Sequence, residues 1–198
     1  MLTNSLLLSH RLAVTTSVEV VSKVGADDLG RPTPCSKWTL ADLVAHMTAQ
    51  HHGFAAAAEG RGADPAAWRL RPSADPVADY VAAADLLLAA FAEDGVAERR
   101  FALPELGTAT FPAEQAVVFH LIDYVVHGWD VARAIDLPYE LHPDLAEPAL
   151  RIAAMVPDSP ARFDPGAPFA PVLPVAPDAP PLDRILSALG RAPSWPTA

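Results

Sequence analysis

Cysteine is almost missing from this chain. Cys35 is the only one, so no internal disulfide can form, and a thiolate-rich zinc site is excluded. Any transition metal would have to use histidine and carboxylate ligands. Long apolar runs are missing too, because charges interrupt each of them, and the sequence predicts no membrane span. The leucines Leu6 to Leu8 are followed at once by His10 and Arg11, and no basic residue precedes them. That makes a poor signal peptide, and the expectation is a cytoplasmic protein. Positive charge is in deficit. A net charge of −10 argues against nucleic acid and anionic membrane surfaces as partners.

What is present is apolar sequence with helical period. Only 19% of the residues are charged and about half are hydrophobic, a globular composition rather than a disordered one. The 198 residues suffice for one domain with a real core, or one domain with a tail. Residues 3–24 read as a first helix, with Leu7, Val14, Val18 and Val21 near one face. GADDLGRPTPCSKW is a loop by its glycine and proline content. Thr39 is a plausible helix N-cap, with Asp42 three residues on in a capping-box arrangement. The helix TLADLVAHMTAQHHGFAAAA follows, and Leu40, Leu43, Met47 and Phe54 cluster on one side. After a loop over 60–75, Asp75-Pro76 starts a third helix rich in alanine and leucine. FALPELGTATF could hold a brief extended piece. Pro112 then opens a long helix to about Ile135.

PDLAEPALRIAAMV predicts a weaker helix, since Pro148 sits inside it. Eleven of the 21 prolines lie from Pro157 onward, so that region should be extended and irregular. Its alternation, PFAPVLPVAP, suggests a strand-like arm lying over the body. A last short helix, PLDRILSALG, is closed by Gly190. The expected class is an all-α bundle, with the bundle over 1–156 and a Pro-rich arm with a terminal helix over 157–198 packed on it.

The fourth helix carries the question of function. In HLIDYVVHGWDVARA, His120, Asp123 and His127 are spaced i, i+3, i+7 and fall on one helical face. Tyr124 and Val131 flank them on one side, Phe119 and Val126 on the other. The remaining face holds Val118, Leu121, Ile122, Val125 and Trp129. A helix apolar nearly all round is usually buried. A solvated stripe would carry lysine and glutamate, and none occurs between Glu114 and Arg133. Two imidazoles and a carboxylate inside a bundle must find partners, because a buried unpaired charge costs several kcal/mol. They either hydrogen-bond one another or hold a divalent cation, for which His and Asp at i, i+4 are well spaced. A cation would need a third ligand. His46, His51 and His52 on the second helix could each supply it, and spacing does not choose among them.

The stretches TPCSKWTLADLVAHM and DYVVHGWDVARA resemble the DinB-like metal-binding bundles of actinobacteria, most closely the mycothiol-dependent maleylpyruvate isomerase-like proteins. PLDRILSALGR looks like the tail of a short actinobacterial subfamily of that group. The resemblance implies a four-helix bundle in up-down-down-up order. It also implies a metal, often zinc or nickel, held by His46, Asp123 and His127 with open positions for water or substrate. Iron would suit the same donor set. The resemblance places His120 in the pocket wall or behind the ligands rather than among them. It leaves Asp130 to orient a ligand imidazole or cap a neighbouring segment, and Trp129 to core packing. Isomerase-type members differ from this chain in carrying Glu at the Asp123 position and a sizeable C-terminal domain.

Three functions follow as expectations. One is a thiol-dependent transferase or isomerase that uses mycothiol as cosubstrate against a small electrophile. The second is a metal-assisted hydrolase with His120 as the candidate catalytic base. The third is a non-enzymatic bundle that binds a metal or small molecule. A homodimer is the expected assembly. Cys35 lies just before a helix N-terminus, where a thiolate is favoured, but a lone loop cysteine is more often a bystander.

Overall fold

A computed structural model describes residues 2–35, 37–164 and 167–196. Four long helices form the body: α1 (Asn4–Val21), α2 (Leu40–Ala58), α3 (Pro76–Phe91) and α4 (Ala113–Ala134). Their starts are where the local chemistry puts them. The Thr39 hydroxyl accepts from the backbone N–H of Asp42, and the Asp42 carboxylate accepts from the Thr39 N–H. Asp75 caps α3 by accepting from the Ala78 N–H, with Pro76 as the first helical residue. Each cap satisfies backbone donors that have no partner within the helix.

Two core clusters fix the helix directions. At one end, Leu6 and Leu7 of α1 meet Phe54 to Ala58 of α2, Leu87 to Phe91 of α3, and Ala113 to Val117 of α4. At the other end, Val20 and Val21 of α1 meet Leu40 and Leu43 of α2, Tyr80 of α3, and Val131 to Ala134 of α4. So α1 and α4 run one way and α2 and α3 the other, in the up-down-down-up order of a DinB-like bundle. Parallel neighbours α2 and α3 need a connection that returns along the bundle, about 28 Å for a helix of this length. Residues 59–75 supply it.

The link from α3 to α4 contains the extended piece. Strands β1 (Arg100–Ala102) and β2 (Thr110–Pro112) pair antiparallel, with Phe101 opposite Phe111. The turn between them carries Glu105. Helix α4 is apolar all round because it is covered on both sides. Its outer face, with Leu121, Val125 and Trp129, packs against α5 (Pro143–Met155) and α6 (Pro181–Ala188). Trp129 is core, as its surroundings suggested.

The Pro-rich segment is extended, but among its described residues it forms no strand. Prolines remove the donors a ladder needs, so its carbonyls must find partners elsewhere. Arg162 supplies them. Its buried guanidinium donates to the carbonyls of Val156, Pro157, Ala170 and Ala188. Gly190 then ends the tail helix with φ at 74°. A Cβ there would meet the Ala170 carbonyl oxygen at 2.5 Å, so only glycine fits. This turn aims Arg191 back into the bundle.

Candidate metal centre

Helices α2 and α4 bring His46, Asp123 and His127 together. One ligand atom from each lies within 4.8 Å of the other two. The His127 Nε2 is 3.4 Å from the Asp123 Oδ1, and the His46 ring meets the His127 ring edge-on, 5.5 Å between centroids. The other α2 histidines lie elsewhere. His51 is fully buried and stacked on Tyr124. His52 is half-buried, near Arg71 and Asp79. Helix rotation therefore puts His46, and neither His51 nor His52, beside Asp123 and His127.

The His127 ring is held from behind. Its Nδ1 is 2.9 Å from the Asp130 Oδ2, so that nitrogen carries the proton and Nε2 is left to face Asp123 and His46. Asp130 is fully buried. It accepts from the Arg191 Nε at 3.0 Å and from the second guanidinium nitrogen at 3.2 Å. That nitrogen also lies 3.0 Å from the Cys35 sulfur. The Cys35 Sγ is 3.2 Å from the Asp130 Oδ2 and 3.9 Å from the His127 Nδ1. Cys35, His127 and Asp130 also lie close enough to ligate an ion. Arg191 already supplies the positive charge there, so a cation is better accommodated on the Asp123 side.

Electrostatics separates the two histidines. Burial pushes the His46 pKa down to about 4, so the ring is neutral and free to ligate at neutral pH. Burial also disfavours charge at His127, but Asp123, Asp130 and Cys35 outweigh it and raise its pKa well above the imidazole range. Burial would raise the Asp130 pKa, yet Arg191 and His127 hold it below the ordinary carboxylate value. The two carboxylates thus favour the imidazolium form of His127. A divalent cation would displace its Nε2 proton. The donor set of two imidazole nitrogens and one carboxylate oxygen suits such an ion.

His120 does not line this site. It is 1% exposed and points into the bundle between two other imidazoles. Its Nδ1 is 3.0 Å from the His10 Nε2 and its Nε2 is 3.3 Å from the His51 Nδ1. The ring stacks on Tyr124 at 4.0 Å. With both nitrogens engaged, it offers neither a pocket wall nor a free base.

Arg191 went unseen in the sequence. An arginine just past the glycine that closes a helix looks like a solvated end, and nothing local connects it to a carboxylate 61 residues earlier. Asp130 left a faint signal, one turn after His127.

A cavity of about 350 Å³ adjoins His46, and Trp38 lies on the His46 ring at 4.6 Å. No helix among the described residues is long and apolar enough to cross a membrane.

Two curated relatives, both uncharacterised proteins from strains of Mycobacterium tuberculosis, are each 35% identical to this chain over 189 residues. The alignments cover 93% of this chain and 97% of theirs. No solved structure matches. Residues 10–132, from within α1 to the last turn of the His127 helix, match the mycothiol maleylpyruvate isomerase N-terminal domain, and the chain belongs to that family.

Proposed function

We propose that His46, Asp123 and His127 hold a divalent metal, zinc or nickel, and that the protein is a thiol-dependent transferase or isomerase. It would use a low-molecular-weight thiol such as mycothiol against a small electrophile. The observation that carries this reading is the His127 ring. Asp130 and Arg191 fix its Nδ1, leaving Nε2 to converge with Asp123 and His46. A divalent cation in this position would lower the pKa of a bound thiol and present it as thiolate at neutral pH. The chain's own residues would do the rest. Asp130 holds His127 in one orientation. Asp123, one methylene shorter than glutamate, draws the ligand point toward α4. Trp38 shields His46 from water, and the cavity beside it admits the second substrate. The hydrolase reading has less support, because its candidate base, His120, is engaged inside the core.

Metal content by mass spectrometry is the first test. About one metal per chain is expected, lost in both His46→Ala and His127→Ala while helical content is kept. Wild-type protein that stays metal-free after reconstitution would end this reading. Metal-dependent turnover must then also require added thiol. Ester or amide turnover without thiol would favour the hydrolase.

A further inference from the structure

The cavity beside His46 has walls whose chemistry selects a ligand. Trp38 forms one side. Trp68 forms another, with its ring laid on α2 at Gly53, where a Cβ would come within 2.1 Å of the indole. The Trp68 N–H donates to the Gly62 carbonyl at 2.8 Å. The Trp68 indole is thus fixed in place, and the Trp38 indole rests against the His46 ring.

Glu105 closes the cavity from the hairpin turn. Both its carboxylate oxygens lie 3.0 Å from the Gln50 Nε2. Gln50 is 6% exposed and sits one turn after His46 on α2, on the same face. A buried amide therefore holds an anionic group beside the metal-site histidine. Among the described residues no cationic side chain pairs with Glu105. Asp42 adds a second carboxylate, kept ionised by its hydrogen bonds from Thr39. Among the described residues that line the cavity, Lys37 is the one ammonium. Two carboxylates outweigh it, and indole faces attract cations.

We propose that this cleft binds the cationic, ammonium-bearing part of a small molecule, with Glu105 as the specificity-determining carboxylate. That the reacting end of this molecule lies at His46 rests on the function proposed above; the charge preference of the cleft does not. Maleylpyruvate, which gives the family its name, is a dicarboxylate. Glu105 and Asp42 would repel it, so this member is built for a different partner substrate.

The test uses the full chain and two probes of similar shape and opposite charge, benzyltrimethylammonium and benzenesulfonate. Neither is a good metal ligand. Binding is followed by the indole N–H signals of Trp38 and Trp68 in NMR spectra, assigned with Trp38→Phe and Trp68→Phe. The ammonium should shift both signals at about tenfold lower concentration than the sulfonate. Glu105→Gln, which can keep a hydrogen bond to Gln50, should abolish most of that preference, and Glu105→Lys should reverse it. Equal or stronger binding of the sulfonate overturns the proposal. So does an undiminished preference in Glu105→Gln, or no shift with either probe. Running the titrations on metal-free and zinc-loaded protein separates the two proposals. A charge preference without metal binding sinks only the metal reading, and metal binding without the preference sinks only this one.

Discussion

Acid should unfold this bundle over the range in which ordinary histidines gain a proton. His10, His120 and His51 form a hydrogen-bonded row through the core. Each is at most 1% exposed. Burial is the main cause that lowers all three pKa values, His10 to about 3 and the other two well below the ordinary value. The groups acting on His51 and His120 are other histidines, not carboxylates. The folded row therefore stays neutral while the same residues, once unfolded, take up protons below about pH 6.5. The unfolded state binds more protons, so stability rises with pH in this window and is lost as pH falls. From pH 7 to 5.5 each histidine removes about 1.3 kcal/mol, or about 4 kcal/mol for the row. That is a large share of the ~5–15 kcal/mol typical of a domain. His46 is also depressed and His127 is raised, so those two pull in opposite directions. Urea unfolding of chelator-treated protein, read by circular dichroism at several pH values, measures the loss. His120→Phe can keep the stack on Tyr124 and removes one titrating ring, so the loss between pH 7 and 5.5 should drop from about 4 to about 2.5 kcal/mol. An unchanged urea midpoint between pH 7 and 5.5, or the same loss in His120→Phe, would refute the reasoning.

Other outcomes follow from the site. Asp130→Asn should weaken metal affinity about 10- to 100-fold by releasing the His127 ring, measured by competition with a chelating dye. Arg191→Met leaves the buried Asp130 carboxylate with His127 and Cys35 alone and should cost about 1–3 kcal/mol of stability, seen as a lower urea midpoint. His127 is protonated before an ion arrives, so zinc binding near pH 7 should release about one proton and tighten about tenfold per pH unit. Calorimetry in buffers of different ionisation enthalpy counts that proton, and a buffer-independent heat would contradict it. Gly53→Ala gains about 1 kcal/mol of helix propensity but drives Trp68 off α2. The clash should win by about 1–2 kcal/mol, and tryptophan emission should shift to the red.

The sequence by itself determined the helices and the chemistry they carry. The Thr39 and Asp42 cap, Asp75-Pro76 and the apolar circumference of α4 are local signals, set by backbone donors and by a period of 3.6 residues. Asp123 and His127 share a helix, so their proximity is written in their spacing. Only the tertiary structure decided what joins them. Period left His46, His51 and His52 open, and the rotation of α2 against α4 put His46 beside Asp123 while His51 turned to His120. His120 has the spacing of a site residue, yet it faces His10 on α1, a partner 110 residues away. Arg191 reaches Asp130 and Cys35 because Gly190 turns the chain and Arg162 holds the Pro-rich segment against the body. Contacts of that range are fixed by which surfaces bury together, and no local pattern in the chain records them.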